Sequence, residues 1–196
     1  MKIIGITGGI GSGKSQILEY LHDEYGATIC RADDISKKLQ KKNQECYQEI
    51  VDTFGEEILG TNKEIDRNAL SSIVFSDENK LNVLNNIMHP AVKDKVRDII
   101  RKEKKKNTNF FFLEAALLIE DHYEEICDEL WYIYAVDEVR IQRLKFSRGY
   151  TQEKADNIMK TQAPKEEFFN ACDRVIDNSK TFLETCYQLD AIMREI

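Results

Sequence analysis

The first fifteen residues constrain this chain more than any other stretch. Lys2–Thr7 (KIIGIT) is a short apolar run of strand character, and Gly8-Gly9-Ile10-Gly11-Ser12-Gly13-Lys14-Ser15 follows at once. The eight residues satisfy G-x-x-x-x-G-K-[ST], and Ile17, Leu18, Leu21 and Tyr25 beyond them fall on one helical face. Strand, glycine loop and helix come in the order that lets a backbone wrap a polyphosphate. Successive N–H groups and the helix N-terminus then face negative charge. Lys14 is expected to reach the outer phosphates, and the Ser15 hydroxyl to ligate Mg²⁺. Five of the nine glycines (Gly5, Gly8, Gly9, Gly11, Gly13) crowd into this segment. The pattern predicts a nucleoside triphosphate site and leaves the reaction open.

Further apolar segments of strand length occur at residues 27–31, 109–113 (NFFFL), 130–135 (LWYIYA) and 174–177. Short apolar strands separated by helices predict a parallel sheet covered on both faces. Two stretches interrupt it. Between Asp33 and Asn109 the text is almost entirely helical and polar-rich, too long for a simple crossover, and reads as a helical insertion. Within it Leu81, Leu84, Ile87 and Met88 mark one amphipathic helix expected to end near His89-Pro90, and Val92, Val96, Ile99 and Ile100 mark the next. Residues 146–162 read as a smaller helical flap. Phe182, Cys186, Leu189, Met193 and Ile196 line a closing helix, which Thr181 and Glu184 could open as a capping box.

The bulk properties exclude several classes. A chain of 196 residues suits one domain with sizeable insertions. No apolar run approaches a membrane span, and five scattered cysteines without C-x-x-C spacing read as thiols of a reducing compartment. A cytoplasmic location is expected, with no membrane partner. The net charge of −7 argues against broad nucleic-acid binding. The basic run at residues 101–106 reads as a solvated helix end.

A carboxylate is needed where a phosphate acceptor would be deprotonated. Arg31, Ala32, Asp33 and Asp34 stand at the end of the second predicted strand, and in parallel sheets ligands lie beyond the carboxyl ends of strands. Asp33 could accept a hydroxyl proton or help position Mg²⁺. It could equally cap the helix that follows.

Taken in order along nearly the whole chain, the motifs resemble those of the dephospho-coenzyme A kinase family. The resemblance is carried by MKIIGITGGIGSGKS, by Ala32-Asp33-Asp34-Ile35, by Ile65-Asp66-Arg67 with Leu70 and Phe75, and by His89-Pro90. It continues through Leu117-Leu118-Ile119-Glu120, Arg143-Leu144 with Gly149 and Gln162, and Asp173, Ile176 and Asn178. It implies an α/β fold, a P-loop kinase-like parallel sheet flanked by helices, with a helical substrate-binding insertion and a small helical lid. The nucleotide-binding core would span residues 1–32, 107–139 and 163–196, the insertion 33–106 and the lid 140–162. The implied activity is transfer of the ATP γ-phosphate, with Mg²⁺, to the ribose 3′-hydroxyl of dephospho-coenzyme A. A monomer or weak homo-oligomer is expected.

The same resemblance implies the site residues. Lys14, Asp33 and Arg143 would be catalytic, with Asp33 as base or hydroxyl-orienting group. Gly9, Gly11, Ser12, Gly13, Lys14, Ser15, Gln16, Arg143, Arg148 and Asn178 would bind ATP, with Asn178 beside the adenine. Asp33, Arg67, His89, Leu117 and Glu120 would meet dephospho-coenzyme A, and Ser15 the metal. Ordinary roles stay open beside these: Arg67 or Glu120 could sit in a salt bridge, His89 at a helix end, and the lid arginines on a solvated surface. Arg31, Gln16 and Ala116 depart from the family's usual Asp, Thr and Pro, and Arg140 stands where the family often has Gln. Ser147 takes a common arginine position, with Arg148 shifted by one. A kinase of another small metabolite, or a nucleotide-dependent switch, would share the loop.

Overall fold

A computed structural model describes residues 1–196. In chain order the elements are β1 (Lys2–Thr7), α1 (Lys14–Tyr25), β2 (Thr28–Arg31), α2 (Ala32–Leu39), α3 (Tyr47–Phe54), α4 (Arg67–Val74) and α5 (Glu78–Lys105). They continue with β3 (Phe110–Glu114), β4 (Glu129–Tyr134), α6 (Asp137–Arg148), α7 (Gln152–Lys160), α8 (Lys165–Ala171), β5 (Arg174–Asp177) and α9 (Phe182–Met193). The chain divides into two compact units, residues 1–30 with 103–196, and residues 31–102.

The first unit is built on a five-stranded sheet of order β2-β3-β1-β4-β5. β1 is central and runs parallel to β3 and β4, with Ile4 opposite Phe112 and Ile6 opposite Trp131, while β5 lies parallel beside β4. Alternation along the strands sorts side chains to two faces. Ile4, Ile6, Phe112, Trp131, Ile133 and Ile176 form one core with Ile17, Leu18 and Leu21 of α1 and Leu189 and Met193 of α9. Tyr132 points to the other face and stacks on Phe168 of α8, with ring centroids 5.0 Å apart. Gly5 is required by space. A Cβ there would meet Leu130 at 2.7 Å and Leu118 at 2.9 Å, so the central strand can pack this closely only without a side chain.

The second unit is helical. Ile35 and Leu39 of α2, Ile50 and Phe54 of α3, Ile58, and Leu70 and Val74 of α4 are buried. An antiparallel bridge between Leu59 and Ile65 leads into α4, whose N-cap is Asp66; its carboxylate accepts from the amides of Asn68 (2.8 Å) and Ala69 (3.3 Å). The expected helix end near His89-Pro90 is not observed: α5 is one helix of 28 residues with Pro90 inside it. Proline removes one backbone donor and crowds the preceding turn, at a cost of about 3 kcal/mol. Met88, Val92, Val96 and Ile100 nevertheless continue one buried stripe at four-residue spacing across that point. Burial of the stripe outweighs the local defect.

Helix α9 opens with the predicted capping box between Thr181 and Glu184. It is fastened to α1 by Asp190, whose Oδ1 accepts from both Tyr20 and Tyr25 hydroxyls at 2.6 Å. These two bonds, Tyr20 first, lower the carboxyl pKa of Asp190. A carboxylate with a depressed folded pKa stabilises the fold above its unfolded value, about 3.9, and loses that contribution as pH falls through the folded value. Asp190→Ala should therefore melt several degrees lower at pH 7. Thermal scans should show that deficit shrinking as the pH drops below 4; a pH-independent deficit would contradict the linkage.

Candidate active site

The turn between β1 and α1 carries the glycine-rich motif. Gly13 precedes α1 at φ 95°, in the left-handed region that favours glycine, and no side chain caps the helix. The Lys14 ammonium donates to the Gly8 carbonyl (2.6 Å) and the Gly9 carbonyl (3.4 Å), so the only side-chain charge of the loop lies across its own backbone. Ser15 is exposed in the first turn of α1, and its hydroxyl has no intramolecular partner. Gln16 beside it is exposed. Ser12 is the reverse case: it is buried, and its Oγ is the one buried side-chain polar atom without a hydrogen bond. An orphaned hydroxyl costs about 1–3 kcal/mol, which a phosphate oxygen or bound water in the loop would relieve.

The loop is gripped from outside by residues far away in sequence. The Ser12 carbonyl accepts from Asn178 Nδ2 (2.7 Å) and Arg143 Nη1 (3.2 Å). Because the peptide is planar and trans, holding that carbonyl aims the Gly13 amide the opposite way. Asn178 lies just past β5 and is fully buried, and its Oδ1 accepts from the buried Thr185 hydroxyl of α9 at 2.8 Å. Arg143 also donates to the Asn178 carbonyl (2.8 Å), and burial lowers its pKa from the ordinary arginine value. Both side chains therefore shape the loop.

Arg140, one turn earlier on α6, donates through Nε to the Ile10 carbonyl (3.0 Å) and through Nη2 to Gln162 Oε1 (2.7 Å). Sequence reasoning gave no loop role to Arg140, Gln162 or Thr185. Their separation from the loop, 130 positions or more for Arg140 and Gln162, leaves no local signal. Arg148 sits at the exposed C-terminal end of α6 and makes no side-chain hydrogen bond or ion pair.

Of the other expected residues, Asp33, Arg67 and His89 belong to the second unit and Leu117 and Glu120 to the first. Asp33 is the second residue of α2, exposed and without a hydrogen bond or ion pair; the N-cap position is Arg31, so Asp33 is not the helix cap. Arg67 opens α4, exposed and unpaired. His89 is half-buried on α5. Leu117, 43% exposed, and Glu120, exposed without an ionic partner, lie between β3 and β4. No cluster of His, Cys, Asp or Glu could hold a metal by itself, so a cation here would need oxygens from the nucleotide beside Ser15. No helix is long and apolar enough to cross a membrane.

A parallel sheet of order 2-3-1-4-5 whose central strand feeds a G-x-x-x-x-G-K-S loop and a helix defines a P-loop kinase. The model of the family described as CoaE, dephospho-CoA kinase, matches residues 2–184. Dephospho-CoA kinase of Carboxydothermus hydrogenoformans is 36% identical over 195 residues, covering 100% of this chain and 94% of that protein. The Aquifex aeolicus enzyme of the same name is 38% identical over 196 residues, with 100% and 98% covered. The solved dephospho-CoA kinase of Campylobacter jejuni superposes with a TM-score of 0.73 at 26% identity, covering 100% of this chain and 97% of that one. The chain belongs to the dephospho-CoA kinase family, which phosphorylates dephospho-CoA with ATP in the final step of CoA biosynthesis.

The brace on Ser12 makes a separable prediction. Asn178→Ala takes away the buried partner of Thr185 Oγ1, which keeps only the Thr181 carbonyl at 3.4 Å, and leaves the Ser12 carbonyl held by Arg143 Nη1 alone. It should destabilise the fold by about 1–3 kcal/mol in denaturant titration and weaken ATP binding about tenfold in calorimetry.

Proposed function

We propose that this chain transfers the γ-phosphate of ATP, bound at residues 8–15, to the ribose 3′-hydroxyl of dephospho-CoA. The observation that carries the reading is the strand–loop–helix cradle: Lys14 is bonded to its carbonyls and a buried Ser12 hydroxyl has no partner in the protein. In the reaction Lys14 exchanges the Gly8 and Gly9 carbonyls for β- and γ-phosphate oxygens. Gly9, Gly11 and Gly13 offer backbone amides, Ser12 its hydroxyl, and Gln16, Arg143 and Arg148 complete the ATP contacts. The acceptor oxygen attacks phosphorus as its proton passes to Asp33. The bond to the bridging oxygen breaks, and ADP leaves with the electron pair.

Asp33 suits this role because it is an exposed carboxylate with no structural partner. Arg67, unpaired at the start of α4, is suited to the acceptor's diphosphate, with His89, Leu117 and Glu120 as further contacts. Residues 33–106 would receive dephospho-CoA, and 140–162 would act as the lid. Mg²⁺ fits the exposed Ser15 hydroxyl, where it would neutralise the phosphate oxygens that gain charge. The enzyme would work in the cytoplasm as a monomer or weak homo-oligomer, without nucleic acid. Five free thiols and the net charge of −7 favour this.

The test is the appearance of CoA from dephospho-CoA and ATP, with nucleosides and nucleoside monophosphates as competing acceptors. CoA should form, and chelation of Mg²⁺ should abolish its formation. Lys14→Met should lose on the order of a hundredfold or more in kcat. Asp33→Asn should lose turnover while ATP binds as before. Near-normal turnover by Asp33→Asn would remove the base from the mechanism.

A further inference from the structure

One loop residue, Ile10, has both backbone polar groups taken by side chains. Its N–H donates to Gln162 Oε1 at 3.0 Å, and its carbonyl accepts from Arg140 Nε at 3.0 Å. Arg140 Nη2 donates to the same Gln162 oxygen at 2.7 Å, closing a ring of three hydrogen bonds. Nη1 is anchored on Asp137 at 3.0 Å, one turn back on α6. Both neighbours of Gln162 are donors, so its carbonyl oxygen must be the atom facing them. The ring packs directly on the loop: a Cβ on Gly9 would collide with the Arg140 guanidinium, and one on Gly11 would lie 2.8 Å from the Arg140 carbonyl.

We infer that Gln162 and Arg140 are positioning residues for phosphoryl transfer, setting the peptide planes at the tip of the phosphate loop. Arg140 holds the Ile10 carbonyl on its own side, so the trans peptide turns the Gly11 amide away from Arg140, free for an anion. Gln162 holds the Ile10 amide, which cannot then rotate into that space. Gln162 stands just beyond α7 and Arg140 on α6, so the loop's tip is tied to the α6–α7 pair and follows its position. Neither side chain needs to touch ATP for this. The inference rests on reading residues 8–15 as the ATP loop.

Steady-state kinetics with both substrates varied test it. Gln162→Met keeps the volume and removes the acceptor; it should raise the KM for ATP about tenfold, leaving the KM for dephospho-CoA unchanged. Gln162→Glu keeps an acceptor oxygen and should recover most of the loss. Arg140→Met combined with Gln162→Met should be no worse than Arg140→Met alone, since either change opens the ring. If Gln162→Met fails to fold, Gln162→Asn, one methylene short of the loop, should show the same selective rise. Wild-type kinetics in both Gln162→Met and Gln162→Asn would overturn the inference. So would an equal rise in both KM values, or additive losses in the double variant. Lys14→Met is the control. If it binds ATP and turns over normally, the reading of the loop has failed; if it is inactive while Gln162→Met is normal, only the positioning role has failed.

Discussion

A loop that offers its amides to a phosphate has few left to hold its own shape; here the Ser12 amide turns inward, to the Gly9 carbonyl at 3.2 Å. That constraint organises the first unit of this protein. The glycines permit the required backbone angles but do not select them, and the helix that follows has no side-chain cap. Selection comes from carbonyls. Each one held on the outer side turns the next amide the other way, and the structure holds two of them, Ile10 by Arg140 and Ser12 by Asn178 and Arg143. The sheet places the grips: α6 follows β4, Asn178 follows β5, and β4 and β5 lie side by side next to β1.

The same arrangement gives a chain of net charge −7 a locally positive loop. Lys14, Arg140 and Arg143 gather at one loop, and both arginines are partly buried against its carbonyls. Charges in that position are screened by salt far less than exposed ones. A basic face is unnecessary when a few cations are fixed beside oriented amides.

Much of the fold was legible in the sequence because its signals are local. The loop motif, the Thr181–Glu184 capping box and the apolar strands all declare themselves within a few residues, and the observed strands shift by a residue or so from the expected ones. The fused helix α5 was not legible. Proline is a strong local stop signal, and only the buried stripe through Met88, Val92, Val96 and Ile100 overrules it. The ring around Ile10 was hidden for a related reason. Arg140 and Gln162 look like polar residues of a solvated helical flap until folding brings them 130 and 152 positions back along the chain.

The buried asparagine shows why residue identity and residue role separate at such a site. Asn178 matches a motif position through family resemblance, and that resemblance suggests contact with the base. Its side-chain amide is held inside the protein, donating to the Ser12 carbonyl and accepting from the Thr185 hydroxyl. A fully buried amide needs both partners, since a missing one costs about 1–3 kcal/mol. Thr185 is therefore as much a part of the loop's support as Asn178, although it lies on α9. Residues of this kind are fixed by hydrogen-bond accounting across the core: the loop's carbonyls need donors, those donors need orientation, and each step outward is set by the one before it.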